Sequence, residues 1–96
     1  MLFRSPPPDV EALFAPVRDD IENGKQRMED GEYEMAVVRL GSAQDALTEI
    51  ARKYPDLAPI KQLKKEITEA VAANRAACKA ERDDAIQRGT TPPECP

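Results

Sequence analysis

Apolar residues recur along this chain at alternating steps of four and three, the spacing that places side chains on one face of a helix. Val10, Phe14, Val17, Ile21, Gly24 and Met28 form the first such stripe, and Pro16 stands inside it. An internal proline removes a backbone donor and costs about 3 kcal/mol, so the main first helix is expected over 16–30, with Asp19 and Asp20 near its positive end. Residues 10–14 then pack along the same seam across a kink or break at Ala15 and Pro16, and Asp9 caps the turn they make. Gly31 ends the helix where a left-handed residue costs least. A second helix, over 32–54, sets Tyr33, Val37, Leu40, Gln44, Leu47, Ile50 and Tyr54 on one face, flanked by Ala36, Ala43 and Ala46 as small contacts. Arg52 and Lys53 complement its dipole, and Pro55 closes it. Asp56 is placed to cap a third helix over 57–88, with Pro59 in its first turn and Ile60, Leu63, Ile67, Ala70, Val71 and Asn74 along its face. That face thins to Ala77, Cys78 and Ala85 before Gly89 stops the helix.

These stripes predict an all-α fold, an antiparallel three-helix bundle of two paired helices followed by a long third. At about 1.5 Å per residue the second helix spans about 34 Å and the third about 48 Å, so the third overhangs its neighbours. Ala76, Ala77, Ala80, Ala85 and Ile86 on the overhang have no helix to cover them. Three outcomes follow: the tail folds back over them, a second chain or an upstream segment packs there, or the end is frayed and solvated. The expected organisation is a foreign or linker segment at 1–8, one helical domain at 9–88 and a proline-rich tail at 89–96.

Composition narrows the picture further. Ninety-six residues, 41% hydrophobic and 33% charged, suffice for one small core. With two Phe, two Tyr and no Trp, that core must come from aliphatic residues and alanine. A net charge of -4 and a pI near 4.8 oppose a phosphate-tracking surface, so nucleic acid is not an expected partner. No run approaches the roughly 20 apolar residues of a membrane span. The opening MLFRS reads as foreign, because it back-translates into the end of a common sequencing adapter, and a truncated frame is expected in which Met1 is not the native start. The alternative is an ordinary start; SPPP beyond it is a stiff polyproline-like lead-in.

The segment GEYEMAVVRLGSA resembles the second helix of a tetratricopeptide repeat through Gly31, Tyr33, Ala36, Leu40 and Ala43, and Gly24 falls where the first helix of the repeat keeps a small residue. The resemblance covers 17–50, about one repeat of roughly 34 residues. It implies close helix packing at Gly24, a turn at Gly31 and a partner groove beside the first helix, at Arg18, Lys25 and Glu29. Asp20, Asn23 and Arg27 depart from the family pattern, and its carboxylate-clamping Lys and Asn arrangement is not reproduced. The three-helix architecture also looks like the microtubule-interacting and trafficking domain, which implies partner helices held in grooves.

Catalytic signatures are sparse. The chain has no histidine, hence no Ser-His or Cys-His pair and no common zinc ligand. Its glycines stand singly, so no phosphate loop forms, and the carboxylates around Gly31 lack the register of a calcium loop. No enzyme activity, metal or cofactor is expected. Cys78 and Cys95 suit neither a redox CxxC nor a zinc site, but a tail of seven residues reaches back about 23 Å against a helical rise of about 15 Å, so a disulfide between them is geometrically open. The alternative is a helix-face thiol and a separate tail thiol.

The expected function is a non-catalytic protein–protein interaction or assembly module with a protein or peptide partner, able to self-associate through the distal third helix. A second expectation is a structural terminal segment of a larger extracytoplasmic protein. Localisation follows the cysteines: periplasmic or secreted if they are bonded and the native start is missing, otherwise cytoplasmic.

Overall fold

The computed structural model describes residues 9–96 and comprises three helices, α1 (Val10–Glu29), α2 (Tyr33–Lys53) and α3 (Pro59–Arg88). The expectations for MLFRS and SPPP lie outside the described residues. The all-α, antiparallel three-helix arrangement is present, with α1 and α2 packed most closely.

Asp9 caps α1, its Oδ1 accepting from the amides of Glu11 (3.1 Å) and Ala12 (3.3 Å). Contrary to the expected break, α1 runs unbroken through Pro16. Pro16 and Ala12, whose carbonyl the proline leaves without its helical donor, are both exposed, so water meets the freed acceptor. Phe14 and Val17 on either side are fully buried, and their burial offsets the proline's cost. The helix therefore begins at Val10 rather than Pro16.

Gly31, at φ 77°, turns the chain into α2. Its amide donates to the Met28 carbonyl (3.1 Å) and that of Glu32 to the Arg27 carbonyl (2.8 Å), closing the end of α1. Arg27 also pairs with the Glu32 carboxylate at 2.7 Å. At the start of α3 the expected Asp56 cap is not formed. Ala58 occupies the cap position without a side-chain bond, and Pro59, which has no N–H to satisfy, begins the helix.

The buried face of α2 is Tyr33, Ala36, Leu40, Ala43, Leu47 and Ile50, which corrects the expected one. Ala36 and Ala43 lie at its centre, whereas Val37 and Gln44 are exposed. The cause is Gly24: a β-carbon there would stand 2.8 Å from Leu40 Cγ and 3.4 Å from the Ala36 carbonyl oxygen. The Leu40 side chain fills the space over Gly24, and the small side chains of Ala36 and Ala43 on either side of it are buried in the same seam. Ser42 crosses the same interface, donating to Asp20 Oδ2 at 2.8 Å.

The main core joins Phe14, Val17 and Ile21 to Ala43, Leu47 and Ile50 and to Leu63 and Ile67, at the end of the bundle away from the α1–α2 turn. Toward that turn, α3 buries Ala70, Asn74, Cys78 and Ala85. Beyond Glu81, which meets Tyr33, the last seven residues of α3 project about 10 Å past the hairpin. Of the three outcomes for this overhang, the tail folds back in part: Ala85 is buried, while Ala76, Ala80 and Ile86 stay exposed. Gly89 takes φ 72°, its amide donates to the Ile86 carbonyl (3.2 Å), and the Thr90 amide donates to the Ala85 carbonyl (2.9 Å).

Gly24→Ala forces the buried Leu40 side chain off its packing and is expected to lower unfolding free energy by about 1–3 kcal/mol. Gly41→Ala, which meets nothing within 4 Å, is expected to raise it by about 0.5–1 kcal/mol. Urea denaturation of the two variants beside the parent checks both signs.

Candidate functional site

With the alanine seam turned toward α1, a second stripe of α2 runs beside it, Val37, Gly41, Gln44, Thr48 and Ala51, again at steps of four and three, and Gln44, Thr48 and Ala51 of this stripe look onto α3. Opposite it α3 presents Ile60, Lys64, Ile67, Thr68, Val71 and Arg75. Between the two lies a groove in two parts. One, of about 300 Å³, is lined by Gln44, Leu47, Thr48, Ala51, Ile60, Lys64, Ile67 and Thr68. The other, of about 270 Å³, shares Gln44, Ile67 and Thr68 and continues to Val71, Ala72 and Arg75. From Ile60 to Arg75 the groove follows α3 for about 22 Å, or about four helical turns. Leu47, Ile60, Ile67 and Val71 make its apolar parts, hydroxyls and an amide its polar ones, and Lys64 and Arg75 its charges. No carboxylate lines either part.

Arg18, Lys25 and Glu29 are all exposed along α1, and none of them lines this groove. The hairpin residues Gly24, Tyr33, Ala36, Leu40 and Ala43 are brought together at the α1–α2 seam, and Gly31 forms the turn beside them. The departures from the repeat pattern have local partners: Asp20 with Ser42, Arg27 with Glu32. Thr48, Lys64, Thr68 and Arg75 were not singled out from the sequence. Their signal is the stripe adjacent to the core stripe, visible only once the core face of α2 is known.

A polar node closes the hairpin end. Asn74, with no exposed surface, donates from Nδ2 to the Tyr33 carbonyl at 3.1 Å, while its Oδ1 has no partner among the described residues. The Tyr33 hydroxyl donates to Glu81. That hydrogen bond, with burial and the negative charge of Glu81, raises the phenol above its ordinary value of 10.0. Beside the node Cys78 and Cys95 form a disulfide, Cα–Cα 5.8 Å, that pins the tail to α3. The Glu94 carbonyl oxygen lies 3.8 Å from Cys78 Sγ, a packing contact because a bonded sulfur has no proton to donate. Cys78 and Ala85 are buried, whereas Ile86 remains exposed.

Among the described residues no three His, Cys, Asp or Glu side chains are grouped to hold a metal ion. No helix among them is long and apolar enough to cross a membrane. Compared with protein-family models, curated proteins and solved structures, the chain matches none.

In a Tyr54→Phe background the ultraviolet phenolate signal of Tyr33 is expected to titrate above pH 10, and Glu81→Ala to bring its midpoint down. A raised folded value means that the neutral phenol's contribution is present below pH 10 and is lost as pH climbs from there through the folded midpoint, so the parent should lose more stability above pH 10 than Glu81→Ala, in which less of that contribution exists to be lost. Reducing the disulfide, or substituting Cys95→Ser, is expected to cost about 3 kcal/mol in denaturant unfolding, because the cross-link restricts the unfolded chain.

Proposed function

We propose that this chain is a non-catalytic helical interaction module whose α2–α3 groove receives an amphipathic helix from a protein or peptide partner. The carrying observation is the groove itself, apolar between polar walls, about four turns long and without a carboxylate. A helix laid there would bury the exposed parts of Ile60 and Val71, over a floor of Leu47 and Ile67 that the core already buries, and complete a fourth side of the bundle. The resemblance of the hairpin to a tetratricopeptide repeat draws support from the close approach at Gly24 and the burial of Tyr33, Ala36, Leu40 and Ala43. The architectural likeness to the microtubule-interacting and trafficking domain points to the same kind of occupant. Self-association through the distal third helix has a smaller face to use, since Cys78 and Ala85 are buried and Ala76, Ala80 and Ile86 remain exposed.

The disulfide favours a second reading, a structural terminal segment of an extracytoplasmic protein, because such bonds persist in oxidising compartments. One titration separates the two. A synthetic amphipathic helix with a leucine seam and an uncharged outer face is added to isotopically labelled protein. A docking module is expected to show amide shifts at Gln44, Thr48, Thr68 and Val71, and Thr68→Tyr to weaken binding about tenfold, or 1.4 kcal/mol. Shifts at Arg18, Lys25 and Glu29 would move the site to α1, and no shifts at all would favour the structural reading.

A further inference from the structure

Among the described residues only two cations of α3 are in ion pairs, and Lys61 and Lys79, which do not line the groove, are as unpaired as those that do. Lys65 and Arg88 are tied along the helix, to Glu69 at 3.9 Å and to Asp84 at 3.2 Å. Lys64 and Arg75, which line the groove, belong to no ion pair among the described residues, and neither does Arg82, seven residues beyond Arg75 on the same stripe. Sequence register explains this. A carboxylate three or four residues away would neutralise each cation, and at those distances Lys64, Arg75 and Arg82 have only Ile60, Lys61, Ile67, Thr68, Val71, Ala72, Cys78, Lys79, Ala85 and Ile86. In a chain of net charge -4, one edge of the groove therefore carries an uncompensated positive row. The α2 edge differs: Val37, Gly41, Gln44, Thr48 and Ala51 are uncharged, Asp45 stands farther round that helix, and Glu49 is already paired with Arg52.

We infer that the occupant of the α2–α3 groove is an amphipathic helix from another protein with an acidic edge on its α3 side, a partner assignment that rests on the groove being a docking site. Lys64 and Arg75 are separated by eleven residues, about 16 Å, so carboxylates three helical turns apart on the partner meet both. Apolar residues between them enter over Ile67 and Val71. A docked helix excludes water from the Lys64 and Arg75 stems, which strengthens a correct charge pair and penalises a like charge. A second copy of this chain is a poorer occupant, because all three of its helices already bury their apolar faces in its own core and none is left to insert.

Three synthetic helices with one leucine seam test this, bearing Glu, Lys or Gln along one edge, each titrated into labelled protein at low salt and again near 1 M, where the screening length is about 3 Å. The Glu peptide is expected to bind at least about tenfold more tightly than the Lys peptide at low salt, with Gln between, and to lose that advantage at high salt. Lys64→Glu with Arg75→Glu should reverse the order; both side chains are exposed, and a circular dichroism spectrum like that of the parent verifies the fold. Equal affinities for the three peptides, with shifts still on Gln44, Thr48 and Thr68, overturn the acidic partner and leave the docking site standing. Absence of shifts with all three overturns both. Sedimentation showing a dimer that the double reversal abolishes also overturns it, in favour of a second copy.

Discussion

At Gly24 the backbone of α1 approaches α2 so closely that no β-carbon fits beside Leu40, and the rest of the bundle is arranged around that approach. Gly24 leaves room for the Leu40 side chain, and the alanines at positions 36 and 43 on either side of it are buried completely. Rotating α2 to bury them carries Val37, Gln44 and Thr48 out of the core. The third helix then packs through Leu63 and Ile67 in the core that holds Leu47 and leaves a furrow beside the displaced stripe. One missing side chain thus bears on both a close contact between α1 and α2 and the groove between α2 and α3.

The two ends of the bundle are held by different means. Where Phe14, Val17, Leu47, Ile50 and Leu63 meet, apolar burial is dense and needs little else. Toward the hairpin turn the side chains shrink and become polar, and directional links take over: Asn74 to the Tyr33 carbonyl, Tyr33 to Glu81, and the disulfide that draws the tail over α3. A chain of this size has little surplus stability, so a covalent link at its weaker end is physically sensible.

Local signals were legible where they depend on neighbours in the chain. The αL turn at Gly31, the Asp9 cap and the stop at Gly89 each follow from the conformational preference of one residue. Pro16 shows the limit of such rules. Its cost is real, yet Phe14 and Val17 gain more by remaining in one continuous helix than the lost bond removes. Asp56 shows it again: a good capping residue is left unused because Pro59 starts α3 farther along.

Periodicity by itself determined that this chain forms three helices, their approximate lengths, and that the third overhangs its neighbours, because helical spacing and chain stops are written in adjacent residues. It could not choose which of two neighbouring stripes on α2 faces the core, since both repeat at steps of four and three and the choice depends on how near α1 comes. Nor could it decide between a bonded and a free cysteine pair, which differ only in the path of the tail. Those matters, and with them the position of the groove, were decided by tertiary packing, because each depends on the distance between residues far apart in the chain.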